Sequence, residues 1–230
     1  MEQTRKPYQI LNNFQLKLLA ILIMLVDHMG LILFPGQPTF RIIGRVAFPI
    51  FCFLLVEGFF HTHNVYLYGL RLAIFAILSQ IPFCFAIYGW GNVVFTHWNV
   101  FVTLFLGLLF MWGCREIQKR INILPIALGL QLILLFALMH IAQEIHCDYR
   151  YMGILLIALF YYVRVRNLGI FSLLLLLAVW AYAYGGTELY AIVAIIPLAM
   201  YNGEKGRSLK YWFYGFYPIH LLLLSFLSTL

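Results

Sequence analysis

Long apolar stretches recur along the whole chain and limit what it can fold into. Of its 230 residues, 64% are hydrophobic and 10% are charged, whereas soluble domains carry roughly 25% charged residues. A helix needs about 20 apolar residues to cross the hydrocarbon core of a bilayer. The sequence therefore predicts an all-α, polytopic integral membrane helical bundle, with residues 1–230 as one transmembrane domain and no soluble domain.

The apolar stretches divide into nine predicted spans, with eight or ten as the open alternatives. The predicted spans are 16–34, 41–60, 68–88, 99–113, 121–141, 151–163, 168–184, 187–201 and 211–229. The fourth, sixth and eighth are short for a bilayer. We expect each of these three to be tilted, re-entrant or longer than its apolar run.

Lysine and arginine predict the orientation of the spans, because basic residues concentrate in cytoplasmic loops. With the N-terminus in the cytoplasm, twelve of the fifteen basic residues fall on the inner side. Arg41, Arg45 and Arg150 are the three exceptions. The prediction is a multi-pass protein of the cytoplasmic (inner) membrane. Its net charge of +7 reflects this anchoring, and we do not expect nucleic-acid binding.

The cysteines and the one histidine-rich turn do not form a recognisable metal motif. The sequence HTHN places His61 and His63 close together without a clear third ligand. Four cysteines are scattered without a CxxC pair, namely Cys52, Cys84, Cys114 and Cys147. We interpret them as small core residues rather than a disulfide framework. No metal is expected.

The stretch LVDHMG places Asp27 and His28 side by side within the first predicted span. A charge at that depth is costly unless it is paired or hydrated. Lys17 and His28 are eleven residues apart, which puts them within about 20° on one helix face. This stripe is typical of a polar channel wall, although a surface lysine and a core histidine remain the alternative. Asp27 points about 100° away and is expected to meet a cation from another span.

The second span supplies candidates for that cation. Arg41 and Arg45 are four residues apart, share one helix face and enter from the outer side near the depth of Asp27. Pro49 is expected to kink this span. Near its inner end, Glu57 and His61 are again four residues apart, and Glu57 needs a partner inside the apolar zone.

Spans three and four add further polar positions. Arg71 opens the third span, which Gln80 and Pro82 are expected to interrupt. Asn99 and Thr103 lie on one face of the fourth span. Each of these residues is a candidate for the wall of an aqueous path.

The outer loop HIAQEIHCDYRYMG and the last span complete the polar set. Asp148 and Arg150 in the loop are candidates for an acceptor-binding rim, with a hydrated loop as the alternative. In FYPIHLLLL, Tyr217 and Pro218 predict a break, and His220 brings a second imidazole to about the depth of His28.

Three classes of function are compatible with polar residues converging inside a helical bundle. A membrane enzyme would use them for catalysis, and a proton-coupled transporter or channel would use buried Asp, His, Glu and Arg as a relay. In a structural or assembly factor they would serve packing alone. The residues themselves leave all three open.

Several of these segments carry a resemblance to a known family. The runs LVDHMG, FRIIGRVAFPIFCFLLVEGFFHTHNV and FYPIHLLLL, in this order, resemble the TraX family, whose namesake acetylates the N-terminus of F pilin. The chain is more distantly similar to the acyltransferase-3 membrane acyltransferases. The similarity rests on Lys17 and His28 separated by ten residues, on Arg41 and Arg45 ahead of a proline, and on Tyr217 in the closing Tyr-x-x-His. The arginines are four apart here instead of three.

The resemblance implies an acetyl-CoA-dependent acetyltransferase with a role in conjugation. It would move acetyl from cytoplasmic acetyl-CoA to an amine or hydroxyl at or beyond the membrane, on a protein such as pilin or on a cell-surface glycan. The implied catalytic residues are His28 as general base, Asp27 and Arg45. The implied acetyl-CoA-binding residues are Lys17, Arg71, Glu57 and His61. The implied substrate-binding residues are Arg41, Asn99, Asp148, Arg150, Tyr217 and His220. Arg45, Asn99 and Tyr217 are the alternatives for stabilising the oxyanion.

Overall fold

The computed structural model of the chain describes residues 6–230. Within that range the regular elements are helices, and two isolated bridges pair Leu11 with Tyr201 and Trp98 with Cys147. The α-helices are α1 (Asn13–Ile32), α2 (Pro38–Gly44), α3 (Ala47–His61), α4 (Val65–Tyr88), α5 (Val100–Arg120), α6 (Leu124–Glu144), α7 (Arg150–Arg166), α8 (Gly169–Tyr184), α9 (Ile195–Ala199) and α10 (Lys210–Leu227), and a 3-10 helix covers Gly186–Ala194. The predicted all-helical class is confirmed.

The helices form two compact units. The first unit contains the described residues up to Leu54 together with Leu168–Leu230, and the second is Leu55–Asn167. The boundary falls within α3. Each unit has its own buried apolar core, with Leu16 and Trp180 in the first and Phe110 in the second. That the whole chain acts as one transmembrane domain stays a prediction.

Within residues 6–230, five helical stretches are long and apolar enough to cross a bilayer. They are Asn13–Ile32, Pro38–His61, Val65–Tyr88, Val100–Arg120 and Leu124–Glu144. Three shorter apolar helices follow, at Gly169–Tyr184, Gly186–Ala199 and Tyr211–Leu227. A multi-pass membrane bundle agrees with this pattern, whereas the predicted count of nine spans is not confirmed.

Three prolines test the predicted breaks, and two of those predictions are wrong. Helix α4 continues through Pro82 and helix α10 through Pro218. A proline removes one backbone hydrogen bond, and the surrounding helices of an apolar bundle tolerate that loss. The kink expected near Pro49 is present, because α2 ends at Gly44 and α3 begins at Ala47.

The three short predicted spans have different outcomes. The fourth is longer than its apolar run, since α5 continues to Arg120 beyond the first charged residue, Arg115. The sixth is helix α7, with 17 residues. The eighth is mostly a 3-10 helix, nine residues long, followed by the five-residue α9.

Glycine allows α1 and α2 to pack closely in the first unit. A β-carbon added to Gly30 would overlap the β-carbon of Phe40 and would lie 3.4 Å from its α-carbon. These atoms belong to or adjoin the backbone of α2, so they cannot move away as the end of a flexible side chain can. The close approach of α1 and α2 therefore requires glycine at position 30.

We expect Gly30→Ala to lower the free energy of unfolding by about 1–3 kcal/mol, because overpacking forces the backbones of α1 and α2 apart. Gly129→Ala is the matched control, since Gly129 also lies within a helix and has open space where a β-carbon would be. The control is expected to be neutral or slightly stabilising. Thermal unfolding in detergent compares the two variants. Equal melting temperatures would contradict the tight contact.

Candidate functional site

A buried network of ion pairs joins α1, α2 and the 3-10 helix of the first unit. Asp27 Oδ2 lies 2.6 Å from Arg41 Nη1, and Asp27 Oδ1 lies 2.7 Å from Arg45 Nη2. The other terminal nitrogen of Arg45, Nη1, lies 2.5 Å from Glu188 Oε1. The expectation that Asp27 meets a cation from another helix is thereby confirmed, with both candidate arginines as its partners.

The local sequence of α2 explains how both arginines reach one carboxylate. Arg41 and Arg45 lie one helical turn apart, and Arg45 Nε also donates to the carbonyl oxygen of Arg41 at 3.1 Å. Gly44 removes the side chain that would otherwise stand between the helices, since a β-carbon there would overlap the Asp27 carboxylate. The carboxylate is therefore held directly against the end of α2.

Burial strengthens the attraction between these charges and raises the cost of leaving any of them without a partner. Asp27 and Arg45 are each 8% exposed and Glu188 is 4% exposed, whereas the side chain of Arg41 is 33% exposed. Two acids and two arginines balance in charge, which offsets part of the cost of removing each ion from water. One carboxylate oxygen, Glu188 Oε2, is buried without a hydrogen bond among the described residues.

Glu188 was missed by the sequence analysis, although a usable signal was present. It is an acidic residue inside the eighth predicted span, 187–201. The reasoning applied to Asp27 holds equally for it, because a carboxylate in an apolar segment requires a cation.

Two imidazoles form a second polar chain in the same unit. His28 Nδ1 lies 2.7 Å from His220 Nε2, and His220 Nδ1 lies 2.8 Å from the carbonyl oxygen of Phe216. The ring of Tyr217 packs edge-on to His28, with 6.0 Å between the ring centroids. The expectation that His28 and His220 lie at one depth is confirmed by their direct contact.

The direction of these hydrogen bonds follows from the acceptor at the end of the chain. A carbonyl oxygen only accepts, so His220 Nδ1 carries the hydrogen. In neutral His220 the other nitrogen, Nε2, then has a lone pair, and His28 Nδ1 must donate to it. Neutral His28 is left with its lone pair on Nε2. Residue 28 is half-buried, and its Nε2 has no hydrogen bond among residues 6–230, so this nitrogen can accept a proton.

Lys17 lies on α1 eleven residues before His28, as the sequence requires, and is half-buried. Its ammonium nitrogen is 5.8 Å from the centre of the Phe213 ring of α10. Phe14, one turn earlier on α1, also packs against Phe213. These contacts attach α10 to the beginning of α1.

Three predicted acetyl-CoA-binding residues lie in the second unit. Glu57 is 5% exposed and pairs with Arg164 of α7, whose Nε is 2.7 Å from Glu57 Oε1. His61 Nδ1 is 2.8 Å from the carbonyl oxygen of Glu57. Arg71 lies over the ring of Tyr68 at 5.7 Å. Glu57 therefore has the cationic partner that the sequence analysis expected. That partner is Arg164, which the sequence analysis did not identify.

Asn99 has a structural role in the second unit that the sequence analysis did not foresee. Its Nδ2 donates to the carbonyl oxygen of Ala76 at 2.7 Å and to Gln80 Oε1 at 2.9 Å, and its Oδ1 caps α5 by accepting from the backbone N–H of Phe101. Both amide hydrogens are thus engaged. The expectation that Asn99 donates to an oxyanion is at odds with this arrangement.

The loop containing Asp148 and Arg150 is fastened to the start of α5 by its backbone. The N–H of Asp148 donates to the carbonyl oxygen of Trp98 at 2.8 Å, and the Thr103 hydroxyl donates to the carbonyl oxygen of Asp148. Arg150 is exposed. Burial, followed by the charges of Arg150 and His146, lowers the pKa of His97 in the neighbouring loop. The substrate-binding roles of Asp148 and Arg150 stay predictions.

We expect the two arginines on Asp27 to differ in their effect on stability because they differ in burial. Arg45→Met leaves Asp27 and Glu188 short of a buried partner and should cost about 3–5 kcal/mol. Arg41→Met removes a more exposed partner of the same carboxylate and should cost about 1 kcal/mol or less. Chemical or thermal unfolding in detergent measures both. Equal losses would show that burial does not set the strength of the network.

Comparisons with known proteins identify the family. A family model described as TraX protein matches residues 13–228. Probable fimbrial assembly protein FimC, serogroup H1, of Dichelobacter nodosus is 30% identical over 235 residues, which are 92% of this chain and 93% of that protein. An uncharacterized protein of Rickettsia prowazekii (strain Madrid E) is 30% identical over 117 residues, 50% of this chain and 40% of that protein. No solved structure matches significantly. As its sequence motifs indicate, the chain belongs to the TraX protein family.

Proposed function

We propose that this protein is an integral-membrane acetyltransferase that uses cytoplasmic acetyl-CoA. The observation that carries the proposal is the hydrogen bond between His28 and His220, with Phe216 as the terminal acceptor. That chain fixes the tautomer of His28 and leaves Nε2 as a base.

In the proposed reaction, a neutral amine or a hydroxyl of the acceptor attacks the thioester carbonyl of acetyl-CoA. His28 Nε2 takes the proton that the attacking atom releases. The carbon–sulfur bond then breaks, and the departing thiolate receives this proton from His28. The products are the acetylated acceptor and free coenzyme A, and His28 returns to its neutral form.

Tyr217 is the residue we propose as donor to the oxyanion. It is 4% exposed, and its ring lies 6.0 Å from that of His28, centre to centre, whereas Asn99 lies in the second unit. Arg45 directs three of its nitrogens to Asp27, Glu188 and the Arg41 carbonyl. We therefore assign Arg45 and Asp27 to holding the site and Tyr217 to the reacting carbonyl.

The acceptor in this proposal is the N-terminal amine of a pilin-like protein. It is supported by the family and by the printed description of the Dichelobacter relative as a probable fimbrial assembly protein. Arg41, the most exposed member of the ion network, would contact the acceptor. The proposed orientation places the N-terminus in the cytoplasm, as the distribution of basic residues predicts, so acetyl-CoA enters from the inner side.

Release of coenzyme A by the purified protein in detergent tests the proposal. Acetyl-CoA and a peptide with a free N-terminus are supplied, and the thiol and the acetylated peptide are measured. We expect His28→Ala to lower kcat by about 100-fold or more, because general-base catalysis contributes that much. His140→Ala is the control, since His140 makes an exposed contact on α6 and should leave turnover unchanged.

Folding must be checked by size exclusion and thermal unfolding in both variants. If folded wild-type protein neither binds nor consumes acetyl-CoA, the acetyltransferase proposal is wrong. Equal losses in the His28 and His140 variants would also contradict it.

The second histidine gives a separate prediction about orientation. We expect His220→Ala to lower kcat by about tenfold while leaving KM for acetyl-CoA within about twofold, because the tautomer of His28 is no longer fixed. His220→Gln retains an acceptor for the Nδ1–H of His28 and should recover part of the rate. An increase in KM with unchanged kcat would instead assign His220 to substrate binding.

A further inference from the structure

Three arginines of the second unit surround the last turns of α3. They are Arg71 of α4, Arg115 of α5 and Arg164 of α7. All lie within about 9 Å of one end of their helices, at 1.5 Å per residue. Arg115 Cζ is 4.7 Å from the centre of the Phe59 ring, and Arg164 Cζ is 5.2 Å from that of Phe60. Positive charge from three helices is thus gathered on one segment.

Arg71 reaches the same segment through Tyr68. The guanidinium of Arg71 lies over the Tyr68 ring at 5.7 Å. The Tyr68 hydroxyl in turn lies against Gly58, where an added β-carbon would be 2.8 Å away. Gly58 immediately precedes Phe59 and Phe60, which carry the other two arginines. Through aromatic rings, the three arginines therefore contact residues 58–60 of α3.

Among residues 6–230, one of these three arginines, Arg164, has an ion-pair partner within 4 Å. Glu57 forms an ion pair with Arg164 at 2.7 Å. Glu116, next to Arg115 in the chain, pairs instead with Lys119 at 2.9 Å. Within residues 6–230, the Nε atoms of Arg71 and Arg115 are buried without a hydrogen-bond partner. Two of the three arginines therefore each have a buried N–H group, at Nε, that lacks an acceptor in this part of the chain.

A membrane anchor does not explain this geometry. An anchoring arginine extends its charged end into water and needs no fixed position. The Arg115 guanidinium instead lies over the ring of Phe59, which is 2% exposed. Arg71 and Arg115, the two arginines whose Nε has no hydrogen-bond partner among the described residues, are half-buried. The N–H groups of an arginine form a planar fork that matches the oxygens of a phosphate.

We propose that Arg71, Arg115 and Arg164 form a binding site for a phosphate-bearing anion, with Glu57 holding Arg164 in place. The phosphate has two possible sources, the nucleotide end of the acyl donor and the headgroup of an anionic phospholipid. The first source rests on the proposed acetyltransferase function, and the second does not.

Binding to the full-length protein in a neutral detergent tests the site. Coenzyme A, inorganic pyrophosphate and short-chain phosphatidylglycerol are titrated separately. Short-chain phosphatidylcholine, which is zwitterionic and has no net charge, is the control lipid. We expect Arg115→Met to weaken binding of the recognised anion roughly 10-fold to 100-fold, as loss of a charged hydrogen bond does. Arg120→Met is the matched control, since Arg120 ends the same helix, is exposed and carries the same charge. It should weaken binding less than about threefold.

The pattern among ligands identifies the source. Binding of coenzyme A and pyrophosphate that depends on Arg115 assigns the site to the donor nucleotide. Binding of phosphatidylglycerol with the same dependence, without coenzyme A binding, assigns it to the lipid. Arg115→Lys keeps the charge but loses the planar fork and should give an intermediate affinity. If Arg115→Met does not fold, Arg71→Met replaces it.

Two results would overturn the inference. One is that none of the three anions binds folded wild-type protein, and the other is that Arg120→Met weakens binding as much as Arg115→Met. Acetyl transfer that depends on His28 in a protein without such anion binding would leave the proposed function intact and remove only this site. Anion binding that depends on Arg115, in a protein that does not transfer acetyl, would support this site and contradict the proposed function.

Discussion

A carboxylate inside an apolar helix is costly unless cations pair with it. Asp27 of α1 is such a carboxylate, so the first unit must bring cations to it. Two arginines approach from α2, and Arg45 carries the network on to Glu188. The break after Gly44 and the absence of a side chain at that glycine make the approach possible. The positions of α1, α2 and the 3-10 helix therefore depend on one buried charge.

The histidine pair makes the proposed chemistry depend on the packing of α1 against α10. His28 belongs to α1 and His220 to α10, so the first and last helices must meet before either proton position is defined. The contacts of Phe213 with Phe14 and Lys17 support the same helix pair one or more turns away. Packing and reactivity consequently share the same contacts in this unit.

The sequence was informative wherever one helix sufficed. Spacing of four residues predicts that Arg41 and Arg45 act together. The predicted spans also place His28 and His220 at about one depth, but their contact across α1 and α10 was not predicted. Local rules were insufficient where packing against other helices determines the structure. They predicted breaks at Pro82 and Pro218, but both helices continue through these prolines. The partner of Glu57 is Arg164, 107 residues further along the chain, and no periodicity connects the two. Glu188 could have been found, because it is an acidic residue within a predicted span, although near the beginning of that span.

The 3-10 helix that carries Glu188 also bears on how a short segment fits a bilayer. Residues rise about 2.0 Å each in a 3-10 helix and 1.5 Å in an α-helix. Gly186–Ala199, with its first nine residues in the 3-10 form, therefore extends about 26 Å, whereas a wholly α-helical segment of that length would extend about 21 Å. Hydrocarbon thickness is about 30 Å. If the predicted eighth span crosses the bilayer, this stretched winding would reduce its hydrophobic mismatch without additional residues, at the expense of weaker backbone hydrogen bonds.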